Sequence, residues 1–335
     1  MDARPTTEQR ELEAAAVRLA ANLGPATVGD LDDLDRRARL DTALTQAGWR
    51  ELRTGTPSEP VASGVETAFV TRALARRACD VAFIGPVLGH DLLRRAGIES
   101  PDGVQRTVAV TSDLQRLASA SVNGVAVDAA GSAHAVLLGD DADTVVEAAL
   151  ASEAKDGVDL TRVVCPVGPS IGSHDGRLDR DDLLAWEALA VTLTAADLVG
   201  VMEGTLELAT DYAKERRQYG VPIGSFQAIQ HLLAEAKALT EGAVSALVYA
   251  AWAVDALPPV EARAAAAVAK AYAARNARTV CETSIQVHGG IGNTWECMAH
   301  VFLRRALLSS ELFGGDGPQL ALLARQRWGA SDGLS

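Results

Sequence analysis

The C-terminal half of the chain consists of long alanine- and leucine-rich segments. From Asp181 onward these segments are interrupted only by short stretches that contain glycine or proline. Both residue types that dominate the segments have high helix propensity, so the pattern predicts a bundle of long helices over residues 181–335. The interruptions are Gly220–Gly224, Leu257–Pro259, Gly289–Gly292 and Gly314–Gly317.

The first part of the chain also has helical periodicity. Three amphipathic segments follow one another, Glu8–Leu23, Leu31–Leu52 and Val65–Gly97, and Gly85-Pro86 predicts a break within the third. We therefore expect a helical domain over residues 1–101.

The pattern changes over residues 102–180. Short apolar runs alternate there with glycine, aspartate and serine, which is typical of strands and turns. The fold class that follows is mainly α, with an N-terminal helical domain, a small middle β domain and a C-terminal four-helix bundle. The apolar runs are Val108–Val110, Val125–Val127, Ala135–Leu138 and Arg162–Val164.

Local signals predict where the C-terminal helices begin and end. Ser225 can accept a hydrogen bond as the N-cap of one helix. A second helix is predicted over Val260–Val287, because the Gly289-Gly290 pair after it can adopt the left-handed conformation that ends helices. Asn293 and Glu296 have capping-box spacing and predict the start of the next helix.

Composition excludes several classes of function. Lysine and arginine number 31 against 44 aspartates and glutamates, a net charge of −13, so no nucleic-acid partner is expected. The four cysteines have no metal-ligand spacing, and no metal site is expected. The N-terminal residues carry both signs of charge, and the uncharged run Gly242–Val254 is too short to span a bilayer. We therefore expect a cytoplasmic protein without a membrane span.

The most informative motif is R-R-Q-Y-G-V-P-I-G-S-F-Q, from Arg216 to Gln227. Arg216 and Arg217 end a predicted helix, where their planar cations can reach a phosphate. A solvated arginine pair is the alternative interpretation. Gln227 falls in the first turn of the next helix, which would hold its amide rigidly for a ligand.

The second motif is Q-V-H-G-G-I-G-N-T-W-E, from Gln286 to Glu296. Backbone N–H groups of its glycines can approach a pyrophosphate, but glycines after a helix more often serve only as a C-cap. His288 is more typical of a packing or hydrogen-bonding histidine than of a catalyst.

Together the two motifs, followed by Arg304-Arg305-Ala306, resemble the acyl-CoA dehydrogenase family, most strongly over residues 197–315. The resemblance implies FAD as the cofactor. It also implies that this chain contacts the adenosine and diphosphate end of a flavin whose ring lies on the neighbouring subunit. The implied contacts are Arg216, Tyr219, Gln227, Gln286 and the backbone of Gly289 and Gly290.

The resemblance further implies removal of an α-proton by a glutamate and transfer of the β-hydride to the flavin. Counting from the motifs, the two positions that usually carry this base are Phe313 and Ala190. Neither side chain can accept a proton, so no catalytic residue is expected in this chain. Glu187 and Glu203 are candidates for a relocated base, although surface or ion-pair roles are the commoner ones for helical glutamates.

The middle domain also lacks a loop that resembles the family's flavin-ring loop; Val110–Gln115 stands in its place. We therefore expect the shorter subunit of a heteromeric α2β2 acyl-CoA dehydrogenase, similar to those of actinobacterial steroid side-chain degradation. A paralogous subunit would supply the base, an acyl-CoA would be the substrate, and an electron-transfer acceptor would reoxidise the flavin. The alternatives are a self-sufficient homotetrameric dehydrogenase and a non-catalytic structural or regulatory protein.

Overall fold

The computed structural model describes residues 5–99, 104–122, 124–151 and 157–329. The predicted domain boundary at 101/102 lies outside these residues. Helices precede and follow a single barrel, so the mainly α fold class predicted from sequence is confirmed. The helices are α1 Thr7–Leu23, α2 Leu34–Gln46, α3 Gly64–Ala75, α4 Ile84–Arg95, α5 Arg180–Glu215, α6 Gln227–Ala256, α7 Pro259–His288, α8 Ala299–Glu311 and α9 Asp316–Trp328.

The N-terminal helices begin at strong capping signals. Thr6 caps α1 and Ser63 caps α3, each in a capping box with the residue three positions on. The break predicted near Gly85-Pro86 is confirmed: α3 ends at Ala75 and α4 begins at Ile84, so the pair lies in the first turn of α4. Proline is compatible with a first turn because its missing N–H has no intrahelical acceptor there. The predicted helix from Leu31 is shorter than expected, because α2 ends at Gln46.

Five strands form a closed barrel in the order β1-β2-β5-β4-β3. Their ranges are β1 Arg106–Thr111, β2 Gly124–Val127, β3 His134–Leu138, β4 Thr144–Leu150 and β5 Val164–Arg177. β1 and β3 pair in parallel and the other neighbours pair antiparallel, so closure leaves no long free edge. Small apolar side chains such as Ala109, Ala126 and Ala135 fill the interior.

The C-terminal helices surround α5, which is 36 residues long. By length and composition α5 could cross a bilayer, but 89% of its most apolar window is buried inside the protein, as in a core helix. Two predicted caps are wrong. Ser225 lies in a short 3-10 turn and donates to the carbonyl of Pro222 at 2.7 Å, and α8 begins at Ala299 rather than after Asn293. Gly289 ends α7 with a φ of 66°, as predicted.

A buried cluster of charges joins the three parts of the chain. The carboxylate of Asp197 on α5 accepts hydrogen bonds from Arg305 at 2.7 Å and from Ser309 at 2.6 Å, both on α8. It also forms an ion pair of 2.8 Å with Arg162, which lies just before β5. Arg305 in turn donates to the carbonyl of Cys79 at 2.8 Å, between α3 and α4.

A second buried ion pair joins the N-terminal helices to the end of α6. Arg53 is fully buried and lies 3.0 Å from Asp91 and 3.0 Å from Asp255. Asp255 also accepts a hydrogen bond of 2.6 Å from the backbone of Gly64, the first residue of α3. Burial raises the pKa of Asp91, but Arg53, Arg95 and Arg94 outweigh it and lower the pKa to about 2.

We predict that Asp197→Asn destabilises the protein strongly. The substitution leaves the buried cations of Arg162 and Arg305 with only the more distant carboxylate of Asp159, 3.7 Å from Arg162, as a counter-charge. Loss of one partner of a buried ion pair costs about 3–5 kcal/mol in comparable sites. The free energy of unfolding in urea measures this loss. Glu241→Gln, which removes an exposed ion pair with Lys237, should change it by less than about 1 kcal/mol. Similar losses for both variants would contradict the prediction.

We also predict a loss of stability in acid. Burial raises the pKa of Asp197, but Arg162 and Arg305 lower it below its ordinary value, as happens at Asp91. Because the folded-state pKa values lie below the unfolded value of about 3.9, this contribution is complete above that pH and disappears as the pH falls below it. Urea titrations at several pH values give the slope of the unfolding free energy against pH, which should be shallower in Asp197→Asn than in the wild type. An equal slope in both proteins would rule out this role for Asp197.

Candidate cofactor-binding site

The first motif folds as a short hairpin after α5. Strands β6 (Arg217–Gln218) and β7 (Val221–Pro222) pair antiparallel, and Arg216 stands at the C-terminal end of α5. The backbone N–H of Ile223 donates to the carbonyl of Arg216 at 2.8 Å, which fixes the start of the hairpin. The guanidinium groups therefore extend from an ordered turn and are exposed, as the sequence predicts.

Tyr219 occupies an unusual backbone conformation. The two turn residues Tyr219 and Gly220 have φ values of 51° and 81°, the signs found in type I′ hairpin turns. Asparagine or glycine usually fills the first of these positions, because a bulky side chain is strained at positive φ. Here the tyrosine is 88% exposed and meets Phe226 edge-on at 6.4 Å. The strain therefore presents an aromatic ring to solvent rather than to the core.

The second motif lies at the end of α7. Gln286 is exposed in its last turn, and Gly289 and Gly290 begin a 3-10 turn that continues to Asn293. A Cβ added at Gly289 or Gly290 would meet no atom within 4 Å. The backbone at both glycines therefore borders open space, which a ligand can enter.

An aromatic stack holds the two motifs together. The rings of Tyr212 and His288 lie 4.4 Å apart and nearly parallel. Tyr212 accepts the backbone hydrogen bond of Arg216 at 2.8 Å, and His288 directly precedes Gly289, so the stack joins the ends of α5 and α7. Nδ1 of His288 lies 2.7 Å from the carbonyl of Ser284, and burial lowers the pKa of this histidine. His288 therefore packs as a neutral residue.

The start of α6 completes the site. Gln227 is the first residue of α6 and is exposed, as predicted. Phe226 before it packs into a small apolar cluster under the hairpin, which also contains residues of α5 and α7. Guanidinium groups, amide side chains and open glycine backbone suit a phosphate-bearing ligand, because each provides N–H donors for anionic oxygens. The fully buried members of the cluster are Ala209, Ala213, Ile223 and Val287.

Hydrophobic packing fills both positions that the family resemblance assigns to the base. Phe313 is buried, and its ring meets Trp186 edge-on at 5.7 Å. Ala190 is also fully buried and lies one helical turn after Trp186 on α5. The two positions thus fall in one part of the core, and neither carries a group that can take a proton.

The turn at Phe313 is held by hydrogen bonds that sequence reasoning missed. Phe313 has a φ of 59°, and its N–H donates to the carbonyl of Leu114 at 2.8 Å. Gln319 donates to the Phe313 carbonyl at 2.7 Å and accepts from Arg263 at 2.8 Å. Leu114 lies in the segment after β1 that stands where the family's flavin-ring loop is expected. This segment therefore contacts the Phe313 turn.

Both candidate relocated bases are engaged in ion pairs. Glu187 lies 3.3 Å from Arg263, and Glu203 forms two hydrogen bonds with Arg72, at 2.8 and 2.5 Å. The Glu203 side chain is only 14% exposed. Each carboxylate therefore stabilises an arginine, although the Glu187 side chain is 46% exposed.

Lys270 is a further buried group near the Phe313 turn. Its ammonium donates to the carbonyls of Ser309 and, at 2.9 Å, Leu312, at the end of α8. Burial lowers its pKa to about 7. Lys270 and Arg263 lie seven residues apart on α7 and therefore on one face, where Ala266, Ala273 and Ala277 are buried. Charged residues on this alanine-rich face were the signal that could have identified both. Among the described residues no group of histidine, cysteine and acidic side chains could hold a metal ion.

Known proteins share both the motifs and the fold. The sequence profile "Acyl-CoA dehydrogenase, C-terminal domain" matches residues 184–327. Acyl-CoA dehydrogenase FadE34 of Mycobacterium tuberculosis is 44% identical over 131 residues, which are 39% of this chain but 18% of FadE34. The ChsE4-ChsE5 complex of M. tuberculosis contains a chain with a TM-score of 0.79 and 22% identity, with full coverage of both chains.

A longer alignment extends beyond the C-terminal bundle. Acyl-CoA dehydrogenase IpdE2 of Mycolicibacterium smegmatis is 30% identical over 230 residues, which are 65% of this chain and 68% of IpdE2. The similarity thus covers about two thirds of both proteins. The chain belongs to the acyl-CoA dehydrogenase family.

Proposed function

We propose that the chain is the non-basic subunit of a heteromeric acyl-CoA dehydrogenase that desaturates a CoA thioester between its α and β carbons. One observation carries the proposal: Phe313 packs against Trp186 and Ala190 is buried in the core, whereas the predicted contact residues of the two motifs are exposed. A paralogous subunit then supplies the glutamate that removes the α-proton. FAD, when bound, supplies the hydride acceptor of the reaction.

In this proposal the chain binds the part of the cofactor that extends from the partner subunit. Arg216, Tyr219, Gln227 and Gln286 would contact its diphosphate or adenosine side. The backbone N–H groups of Gly289 and Gly290 face open space and suit the same ligand. The stack of Tyr212 on His288 fixes the spacing of these groups before the ligand arrives, which reduces the entropy lost on binding.

The proposal also covers the subunit composition of the complex and the kind of acyl group that it accepts. With one active site in each pair of subunits, an α2β2 heterotetramer contains two flavins, and an electron-transfer acceptor reoxidises them. A subunit without its own active site leaves space beside the partner's substrate cavity, which suits a bulky acyl group such as a steroid side chain. The steroid acyl-CoA dehydrogenase Tcur3481-Tcur3483 has a similar fold, with a TM-score of 0.78 and 21% identity over 95% of this chain, and this likeness favours the class.

The structure disfavours both alternatives. A self-sufficient dehydrogenase needs Glu187 or Glu203 as the base, and each is bound to an arginine. A protein without any cofactor role has no use for a strained, exposed tyrosine beside two exposed arginines, because such strain persists only where the surrounding structure enforces it.

We predict that Arg216→Ala lowers flavin occupancy of the complex with its paralogous subunit. Loss of charge-assisted hydrogen bonds to the diphosphate should cost about 1.5–3 kcal/mol, or about 10- to 150-fold in the dissociation constant. Flavin absorbance per heterodimer in a dilution series measures the change. Arg278→Ala, which removes an exposed arginine paired with Glu282 on α7, is the matched control and should retain one flavin per two chains.

The same preparation tests the half-site arrangement. The wild-type complex should bind one flavin per two chains, and the chain purified alone should have little flavin. Full loading of the chain alone together with turnover of acyl-CoA would refute the proposed function.

We also predict that neither candidate glutamate is needed for chemistry. Glu187→Gln and Glu203→Gln should leave turnover per bound flavin within about twofold of wild type, because the base belongs to the partner. Glu203→Gln should lower the melting temperature, since Arg72 is largely buried and loses its carboxylate. A loss of turnover of about a hundredfold or more at retained flavin content, in either variant, would identify a base in this chain.

A further inference from the structure

Trp295 is an exposed aromatic residue that the protein nevertheless holds in place. Trp295 is 65% exposed and lies in the segment between α7 and α8. The guanidinium of Arg304 lies 5.9 Å from the centre of the indole ring, within the range of a cation–π contact. His300, which is buried, meets the indole edge-on at 5.1 Å. The ring therefore has two neighbours that restrict its orientation.

Restricted aromatic residues have a characteristic use at surfaces. Tryptophan and arginine are enriched among the few residues that provide most of the binding energy of an interface. A ring that is already fixed loses little conformational entropy when a partner covers it. Nε2 of His300 is buried without a hydrogen-bond partner, and its ring is perpendicular to the indole. The buried imidazole thus limits the positions that the indole can take.

The surroundings of Trp295 form a continuous exposed area. Ile291, four residues earlier, is 37% exposed and belongs to the glycine turn of the second motif. Arg304 donates to the carbonyl of Val158 at 3.4 Å, and Val158 is 56% exposed. We define these four residues, Val158, Ile291, Trp295 and Arg304, as the Trp295 patch.

We propose that the Trp295 patch is an anchor for the paralogous subunit, with the indole seated in an apolar recess of that partner. The inference rests on the proposed function. Ile291 directly follows Gly289 and Gly290, whose open backbone receives the cofactor that extends from the partner, so the patch continues the same face of the molecule. A second copy of this chain is a poor occupant, because each copy carries a net charge of −13 and the two copies repel each other.

The test measures association of the two subunits and not activity. The dissociation constant of the co-expressed complex is determined by analytical ultracentrifugation of wild type, Trp295→Ala and Trp295→Phe. We expect Trp295→Ala to raise it at least about tenfold and Trp295→Phe to raise it less, because a ring remains. Trp328→Ala, which removes a tryptophan 79% exposed at the end of α9, is the matched control and should leave it unchanged.

Two further measurements separate anchoring from other effects. Arg304→Gln removes the cation that orients the indole and should raise the dissociation constant by a smaller factor than Trp295→Ala. At subunit concentrations far above the dissociation constant, Trp295→Ala should still bind one flavin per two chains, because the predicted contact residues Arg216, Gln227 and Gln286 are intact. A complex that forms fully but lacks flavin would show that Trp295 contacts the cofactor instead, which overturns the anchor.

The experiment gives different results if the inference fails and if the proposed function fails. If the wild-type chain forms no complex with a paralogous subunit, the proposed function fails, and the inference with it. If the complex forms and Trp295→Ala associates as tightly as wild type, only the anchor is overturned. If Trp295→Ala instead changes the mass of the chain measured alone, the patch is a contact between copies of this chain, which also overturns it.

Discussion

The arrangement of the three parts of the chain depends on one buried carboxylate. Asp197 lies on the central helix α5 and binds Arg305 of α8 and Arg162 beside the barrel. Two arginines can be buried together only if a negative charge compensates them, so these elements are stable in one relative position. Arg305 extends the link to the N-terminal helices through the carbonyl of Cys79. Helix α8, which leads into the Phe313 turn, is thereby fixed.

Features that depend on local sequence could be predicted, and those that depend on distant partners could not. The long helices, the strands and the exposed ends that carry Arg216, Gln227 and Gln286 follow from propensity and periodicity. The caps assigned to Ser225 and Asn293 were wrong, because packing under the hairpin and after the glycine turn determines where α6 and α8 begin. No local pattern could identify the acceptors of Lys270, since they lie about 40 residues away in the chain.

The exposed motif residues and the two positions that usually carry the base differ in their surroundings. The motif residues stand at helix ends above the Tyr212–His288 stack, and their functional groups point away from the core. The positions of Phe313 and Ala190 are instead part of the main core, where their side chains contribute packing. A mutation that fills a buried, unused site with apolar atoms gains stability, whereas loss of an exposed contact residue has little effect on folding. The fold therefore does not require the exposed motif residues, which agrees with the binding role proposed for them.

The Phe313 turn shows why a catalytic base would be difficult to introduce at this position. Its positive φ costs about 1–3 kcal/mol for a residue with a side chain, and the hydrogen bonds to Leu114 and Gln319 maintain it. A glutamate introduced there would meet the ring of Trp186 at the place that the phenyl group now fills, and burial would raise its pKa and destabilise the fold. A functional base at this position therefore needs space and a polar environment as well as a carboxylate, so several core residues would have to change together.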